Sequence, residues 1–503
     1  MSVATKKLPP AQTSGRLYVV VFLGLVGQLV VQFVLQKLLT STLGAGGELD
    51  AYRVSLTLPM AISAMLAGTV GPVILPVLSK NTERSAIGGL VFSLVLTLAL
   101  VLAGLCFVFR EAVIGTLQPG YDTAMVGTTA NVFAILVWLL PANAIIGISQ
   151  SILNARLNFI IPALAGVLGP LVTVIIYWRY ADQGGGEVIA WATLSGAIVN
   201  LLIQLPFLFK VLEFRHWQAC LPELKRLALL ALPILAGMLL FTAMPLVDKF
   251  VLSQLEIGSI TRYDLAYQFL NAFIMLASGT LSTVAFPRIA KHASAGGEAL
   301  CREIALALRG LIILVVPAVA VLFVFGEVLI EQMFESGAFL HSDTQVVGQL
   351  LRIFAFMIIG ASVGELATKT LYALQKTRIP FYISSVMIIG CCIAKIVLVP
   401  HYGLNSIALI TTLTYLLSSS IHICIIVNIA GSSIFQGNFT TLLTATAASA
   451  VSCGIGFLIV QLSLPLSSLW GLIAGAIVYF SIVAVASSEL REMVLVILKK
   501  EKK

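Results

Sequence analysis

Long apolar stretches that are nearly free of charged residues constrain this chain more than any other feature. Many of them run for about 18–25 residues, the length that an α-helix needs to cross roughly 30 Å of hydrocarbon. Over the whole chain 59% of the residues are hydrophobic and 10% are charged, whereas soluble domains have roughly 45–50% and about 25%. The stretches lack the period-2 alternation of membrane β-strands. We therefore predict an all-α polytopic membrane protein.

These stretches predict about fourteen membrane-spanning helices. The first stretch, 17–39, is too long for the hydrophobic part of a signal peptide and no small-residue cleavage site follows it, so we expect a retained span. The spans are expected near 17–39, 52–78, 86–109, 131–152, 160–180, 187–209, 228–252, 264–287, 304–325, 346–371, 379–399, 404–429, 440–462 and 468–487.

Lys and Arg residues concentrate in every second connecting loop and at both chain ends. The basic positions include Lys80, Arg84, Lys376, Arg378 and the tail residues Lys499, Lys500, Lys502 and Lys503. The opposite loops carry little beyond Arg53, Arg110, Arg179 and Arg262. Because cytoplasmic loops hold an excess of Lys and Arg, both termini are predicted to face the cytoplasm. The net charge of +8 then needs no nucleic-acid partner, and the tail lysines also suit contact with anionic membrane lipid.

Two motifs occur twice along the chain. One pairs Met65–Thr69, Pro76 and Lys80 with Met275–Thr280, Pro287 and Lys291; the other pairs Leu153–Ala155 and Pro162 with Leu371–Ala373 and Pro380. Offsets of roughly 211 and 218 residues place one six-helix unit after another in the same orientation. We predict two like-oriented six-helix halves, 1–220 and 221–432, with substrate bound between them. Residues 433–503 would add two extra helices and a basic cytoplasmic tail.

One further motif resembles a known family. Leu43–Gly46, then Leu49–Tyr52 and Leu58-Pro59, is similar to the second-span signature of MurJ/MviN proteins, which belong to the multidrug/oligosaccharidyl-lipid/polysaccharide (MOP) exporter superfamily. Segments Gly258–Arg288 and Leu371–Pro380 look like later motifs of the same family. The resemblance implies a flippase of the bacterial inner membrane, working by alternating access. Its cargo would be undecaprenyl-diphosphate-linked sugars, moved from the cytoplasmic to the outer leaflet.

The chain also departs from that family at basic positions. MurJ-type first spans carry arginines that are thought to hold the diphosphate, whereas Gln28–Lys37 has leucine or valine in their places. Met60–Ala64 replaces an Asn-Leu-Leu-Arg-Arg run, and Tyr267-Gln268 replaces the Asp-Arg pair of the eighth span. With most of these cations absent, the sequence favours an exopolysaccharide or other glycan precursor as cargo. The peptidoglycan precursor lipid II is the alternative.

Polar residues inside the spans are the candidate site, because each is costly in lipid. Gln28, Gln32 and Gln36 lie four residues apart on one helix face, with Lys37 beside them. Amides facing a hydrated cavity could exchange hydrogen bonds with sugar hydroxyls, so we predict that this face lines the substrate path. The alternative is interhelical bonding, which in membranes is worth roughly 0.6–2 kcal/mol per bond.

Two charged pairs are further candidates for substrate binding. Asp50 and Arg53 begin the second span, where they would pair or cap the helix. The family has an acidic residue at the place of Asp50, which implies a role in gating; a solvated helix-start pair is the alternative. Glu365 and Lys369 are four apart in the tenth span, the favourable order for an ion pair. We predict that they line the cytoplasmic half of the cavity, with a purely structural pair as the competing interpretation.

Three more charged residues lie late in their spans: Asp248 and Lys249 in the seventh and Lys395 in the eleventh. Some MurJ-like proteins are thought to bind sodium between these helices, using an acid near Asp248 and an Asn in the place of Lys395. Because unpaired charges at depth are costly, we predict that Lys395 replaces the bound cation and pairs with Asp248. The alternative is that all three side chains reach to the outer interface.

Motifs of other function classes are missing from the sequence. It contains no P-loop, no Gly-rich dinucleotide loop and no His-Glu-x-x-His motif, and its seven cysteines lack metal-ligand spacing. We expect no enzyme activity, cofactor or metal, and a monomer whose partners are a polyprenyl-diphosphate-linked glycan, membrane lipid and glycan-synthesis enzymes. Two alternatives stay open: an exporter of small cationic molecules that uses Glu365 and Asp248, and a non-transporting scaffold that recruits glycosyltransferases.

Overall fold

The computed structural model describes residues 12–80, 85–156, 158–209, 212, 221–275, 280–293, 297–460 and 467–486. Within these ranges the chain forms α-helices, short 3-10 turns and an isolated antiparallel bridge between Ser336 and Phe339. The predicted all-α membrane fold is confirmed. Several sequence features lie outside the described residues: Arg84, the repeat residues Leu276–Gly279 and the C-terminal lysines.

The chain divides into two compact units. The first comprises 1–261 with 336–339, and the second comprises 262–335 with 340–503. The first unit holds α1 (Gln12–Leu43), α2 (Gly47–Lys80), α3 (Ser85–Val108), α4 (Arg110–Leu117), α5 (Thr123–Leu136), α6 (Leu139–Ala155), α7 (Ile160–Tyr180), α8 (Gly186–Phe209), α9 (Leu221–Leu252) and the first residues of α10 (Ser259–Ile274). The second holds the rest of α10, α11 (Thr280–Ala293), α12 (Gly297–Phe334), α13 (His341–Ala355), α14 (Met357–Ala373), α15 (Arg378–Tyr402), α16 (Leu404–Ala430), α17 (Asn438–Val460) and α18 (Ser467–Ala486).

Helices occur at all fourteen predicted spans, but some spans are not single helices. In the described residues, 12 helical segments are long and apolar enough to cross a membrane, and a shorter apolar stretch, Ile473–Val483, lies in α18. The fourth span is α5 followed by α6. Pro141 lacks the N–H that would bond the carbonyl of Val137, and the helix breaks there. The tenth span is likewise two helices, α13 followed by α14. Because two spans are each made of two helices, the predicted count of about fourteen spanning helices is approximate.

Small residues set the helix spacing in the first unit. A Cβ built on Gly169 of α7 would lie 2.8 Å from the Gly196 carbonyl oxygen of α8, so these helices meet backbone to backbone. Hydroxyl contacts add to this packing: the Tyr52 and Thr193 hydroxyls are 2.9 Å apart. In this unit α9 packs on α2, with Met238 against Gly68.

The predicted halves, which meet at 220/221 and end at 432, rest on the sequence repeat and stay a prediction.

The second unit is built around the long helix α12. The helices α13, α14 and α17 pack against it, and α17 packs on α18. The Tyr479 hydroxyl of α18 donates a hydrogen bond to the Ile313 carbonyl of α12 over 2.7 Å. Close contact also joins α14 to α16, where a Cβ on Gly360 would lie 2.6 Å from the backbone of Tyr415. The two C-terminal helices are therefore anchored to α12 by packing and by a buried hydrogen bond.

Candidate functional site

An amide of α1 and a basic residue of α2 form the first polar pair. The Arg53 guanidinium donates a hydrogen bond from Nη2 to Gln36 Oε1 over 2.8 Å. Arg53 is buried, at 5% exposure, and Gln36 is half-buried. Because a buried guanidinium needs partners for its donors, Gln36 helps to hold this cation in place. Two site residues that the sequence placed in different spans are thus in contact.

The other polar residues of α1 have different surroundings. Gln28 is half-buried against α7, where a Cβ built on Gly166 would lie 3.3 Å from Gln28 Oε1. Gln32 and Lys37 are exposed. Gln28 and Gln36 therefore contact neighbouring helices, as the interhelical alternative expects. Gln32 and Lys37 are open to a ligand, and their place along a substrate path stays a prediction.

Asp50 of α2 binds the start of α10. Its Oδ2 accepts a hydrogen bond from the Gly258 N–H over 2.6 Å, and its Oδ1 accepts from the Thr261 N–H over 2.8 Å and from the Thr261 hydroxyl over 2.6 Å. A carboxylate satisfies the free N–H groups of a helix N-terminus and its partial positive charge. Asp50 therefore caps α10, and the prediction that it caps α2 is wrong. At 2% exposure Asp50 is not solvated, so that alternative is wrong.

The three deep charges are all buried. Asp248 and Lys249 of α9 are 7% and 5% exposed, and Lys395 of α15 is 0% exposed. Lys249 also lies close enough to Asp50 for electrostatic attraction. Full burial of Lys395 contradicts the alternative in which its ammonium reaches the outer interface. Asp248 and Lys395 belong to different compact units, and their pairing stays a prediction.

Glu365 and Lys369 form the ion pair that their spacing predicts. Lys369 Nζ lies 2.7 Å from Glu365 Oε1, and both side chains are about a third exposed, at 32% for Lys369 and 35% for Glu365. The pair lies in the C-terminal half of α14. Its exposure leaves both groups able to meet a substrate, whereas its geometry also fits a structural pair. Both interpretations given by the sequence therefore stay open.

Two ion pairs in the second unit were not predicted from the sequence. Arg262 of α10 bonds Asp343 of α13 through Nε and Oδ1 over 2.8 Å, and Arg352 of α13 bonds Glu327 of α12 over 2.7 Å. A signal for both was available, because a charged residue in an apolar span implies a partner. Gly258 and Thr261, the partners of Asp50, carry no comparable polar signal in the sequence, since backbone N–H groups provide two of the three bonds.

No metal centre is present in the described parts of the chain, where no group of three or more His, Cys, Asp or Glu side chains could hold an ion. The polar groups described above are amides, carboxylates and basic side chains. Such groups bind ligands by hydrogen bonds and charge.

Comparison with known proteins gives consistent matches in sequence. A family model described as "Lipid II flippase MurJ" matches residues 39–481. The chain is 25% identical over 406 residues to the "Probable lipid II flippase MurJ" of Rhizobium meliloti (strain 1021), covering 75% of this chain and 74% of that protein. It is 24% identical over 374 residues to the protein of the same name from Buchnera aphidicola subsp. Acyrthosiphon pisum (strain APS), covering 70% and 71%.

Solved structures agree on the fold. A structure of "Lipid II flippase MurJ, inward closed conformation" superposes with a TM-score of 0.80 at 19% identity, covering 94% of this chain and 99% of that one. An inward-facing multidrug resistance MATE family transporter of the MOP superfamily superposes with a TM-score of 0.68 at 13% identity, covering 82% and 96%. At these identities the structural likeness concerns the fold alone.

Proposed function

The chain belongs to the MurJ family, and from that premise we propose that it is a lipid II flippase of peptidoglycan synthesis. The family match over residues 39–481 carries the proposal. A multi-pass membrane protein suits such cargo, because the polar head of a polyprenyl-linked glycan cannot cross hydrocarbon without polar partners. The Lys and Arg distribution supports an inner-membrane orientation with both termini in the cytoplasm.

Lipid II replaces the exopolysaccharide precursor that the sequence favoured. That preference rested on the missing basic residues of the first, second and eighth spans. The family match over residues 39–481 outweighs that preference. The bond from Arg53 to Gln36 brings a cation to α1 from the neighbouring helix, and such a cation suits the diphosphate that either cargo carries. Together with Lys37, which is exposed, this cation would attract the diphosphate. Gln32 would then hydrogen-bond the adjoining sugar.

Movement of the head group requires the protein to alternate between two states. We assign Asp50 to gating, because its three hydrogen bonds fix the start of α10 and must rearrange if that helix moves. Glu365 and Lys369 of α14 would contact the head group as it moves. The predicted pair of Asp248 and Lys395, with Lys249 beside Asp248 in the chain, is the candidate for coupling, with a tethered ammonium in place of a free cation.

Export of an exopolysaccharide precursor is the second candidate. The neutral Tyr267-Gln268 in α10 favours it, because these residues leave the eighth span without the Asp-Arg pair that the resemblance implies. The small-cation exporter has less support. Glu365, one of its two proposed acids, bonds Lys369, so its charge is already balanced. Membrane glycan-synthesis enzymes are the partners that either flippase would serve.

Complementation tests the cargo directly. A bacterial strain depleted of its own lipid II flippase should regain growth when it expresses this chain. Purified protein in proteoliposomes should also move fluorescent lipid II between leaflets. Growth failure by a well-expressed protein that moves an exopolysaccharide precursor would overturn the lipid II proposal in favour of the second candidate. An Arg53→Met variant should lose activity in the same assay.

A further inference from the structure

The helix α10 presents two very different faces within the second unit. One face is buried and apolar and includes Tyr263, Ala266 and Leu270. Gln268 and Asn271 lie on the opposite face, and both are exposed. A separation of three residues places their side chains next to each other on the helix surface. This surface, formed by Gln268 and Asn271, is called the α10 amide face below.

Lipid is an unsuitable neighbour for the α10 amide face. Neither side-chain amide has a hydrogen-bond partner among the residues that the structure describes. In hydrocarbon such amides would be unsatisfied, so polar residues in spans face protein, water or a ligand path. The α10 amide face therefore meets water and any polar ligand that the water gives access to.

An aromatic ring lies beside these amides and is held in position. Tyr267 lies one helical turn before Asn271, so their side chains are neighbours on the helix surface. Tyr267 is half-buried. Its ring stacks on Tyr263, with centroids 5.8 Å apart and planes at 10°, and packs edge to face with Phe354 of α13 at 5.9 Å. Rings in such clusters prefer defined offsets and angles. The tyrosine is therefore a fixed surface next to two hydrogen-bonding amides.

The chemistry of this surface selects the kind of group that it can bind. The basic residue of α10 in the described chain, Arg262, bonds Asp343. The exposed amides donate and accept hydrogen bonds without carrying charge. A diphosphate would need cations or many N–H donors, whereas sugar hydroxyls match amides and the C–H face of a sugar ring packs on an aromatic ring. Apolar contact with a few placed polar groups is the usual composition of such sites.

We propose that the α10 amide face, together with Tyr267, binds the sugar part of the lipid-linked glycan. The inference rests on the proposed function but goes beyond it, because it assigns recognition of the carbohydrate to residues distinct from those proposed for the diphosphate. It also gives the neutral Tyr267-Gln268 a role of its own. In this proposal Tyr267 and Gln268 bind sugar, and they are more than a replacement for the Asp-Arg pair.

Binding of two probes tests the proposal. Purified full-length protein in detergent is titrated with lipid II from which the peptide has been removed and, separately, with undecaprenyl diphosphate, which has the same lipid and diphosphate but no sugar. The double variant Gln268→Leu/Asn271→Leu should bind this peptide-free lipid II about tenfold more weakly, since each lost hydrogen bond is worth a factor of a few. Its affinity for undecaprenyl diphosphate should not change. Gln349→Leu, at an exposed amide of α13 in the same unit, is the matched control and should bind both probes as wild type does.

The ring is tested by a second pair of variants. Tyr267→Phe should keep the affinity for peptide-free lipid II, because it keeps the ring, and Tyr267→Leu should lower it. Equal losses for both probes, or no loss for either, would overturn the assignment to sugar. If wild-type protein binds neither probe, the proposed function itself fails, and this inference fails with it. If wild-type protein binds both probes with equal affinity, sugar recognition is contradicted but the proposed function is not.

Discussion

The Asp50 carboxylate of α2 accepts hydrogen bonds from both the backbone N–H and the hydroxyl of Thr261, 211 positions further along the chain. The boundary between the two compact units falls directly after Thr261. The next residue, Arg262, bonds Asp343 of the second unit. Neighbouring residues at the start of α10 are therefore fixed by acids from different units. Loss of the Asp50 carboxylate should therefore affect movement of α10.

Asp50→Asn should impair both stability and flipping. The asparagine can still accept the bonds from Thr261 through one oxygen, but its NH₂ group would face the Gly258 N–H, donor against donor. Loss of one bond to a charged acceptor costs about 1.5–3 kcal/mol, and the α10 N-terminus also loses its counter-charge. We expect a lower unfolding temperature in detergent and strongly reduced lipid II flipping in proteoliposomes.

Asp122→Asn is the matched control for this variant. Asp122 is an exposed N-cap whose Oδ1 accepts the Met125 N–H over 2.8 Å. Asparagine is as good an N-cap as aspartate, so the control should behave as wild type. If Asp50→Asn flipped lipid II at the wild-type rate, Asp50 would have no part in gating.

Gln36 and Arg53 should be energetically coupled. Gln36→Leu removes an acceptor from a buried guanidinium, which costs more than the bond itself contributes, because a donor is left unsatisfied. We expect Gln36→Leu and Arg53→Met each to lower the unfolding temperature. The double variant should lose less stability than the sum of the two single losses, and the difference, the coupling free energy, should be about 0.5–3 kcal/mol.

Gln32→Leu separates packing from transport on the same helix. Gln32 is exposed, so its replacement should leave the unfolding temperature within error of wild type. Flipping should nevertheless fall if this amide contacts the substrate. If Gln32→Leu flips lipid II at the wild-type rate, the amides of α1 serve helix packing alone.

The coupling of Gln36 and Arg53 has its own contradicting outcome. Additive effects of Gln36→Leu and Arg53→Met on stability would show that their hydrogen bond is unimportant.

Much of the fold could be predicted because span length and hydropathy are local properties. The apolar run 160–180, for example, became α7 with the same limits, Ile160–Tyr180. Breaks inside spans were harder to predict. One follows from Pro141, but the interruption at Phe356 between α13 and α14 has no proline or glycine beside it. Local pattern therefore predicts where a span lies better than whether it is continuous.

The site was predictable only in part, and for a physical reason. Costly polar residues in apolar spans are visible in sequence, so Gln36, Arg53 and Asp50 could each be singled out. Their partners depend on tertiary contact. Spacing in the chain suggested that Asp50 would pair with Arg53, whereas Asp50 bonds Gly258 and Thr261, and Arg53 bonds Gln36. For Glu365 and Lys369, which lie in one helix, spacing was enough to predict the contact itself.

Exchange of the charges in that pair tests its role. In Glu365→Lys/Lys369→Glu the ion pair can still form in the same helix, though in the less favourable order. A partly exposed pair of this type is worth about 0.3–0.5 kcal/mol, so the unfolding temperature should hardly change. Flipping should fall if either group meets the head group, because each charge then sits in the wrong place.

The matched control exchanges Glu327 and Arg352, which form a 2.7 Å pair in the same unit. This exchange should leave flipping unchanged, since no substrate role is proposed for it. Full activity of the Glu365 and Lys369 exchange would show that the pair is structural. Loss of activity in both exchanges would mean that the assay reports folding instead of substrate contact.

The turn between α12 and α13 should be sensitive to a single methyl group. Gly337 has a φ of 60°, and a Cβ on it would lie 2.1 Å from the Ser41 carbonyl oxygen, which also accepts the Ala338 N–H over 2.8 Å. Gly297 has a similar φ of 67° but open space around its Cβ position. Gly297→Ala should cost only the left-handed backbone strain of about 1–2 kcal/mol. Gly337→Ala should lower the unfolding temperature further, because it must also displace the contact with Ser41. Equal shifts for the two variants, measured by thermal unfolding in the same detergent, would contradict this close packing of the turn against the end of α1.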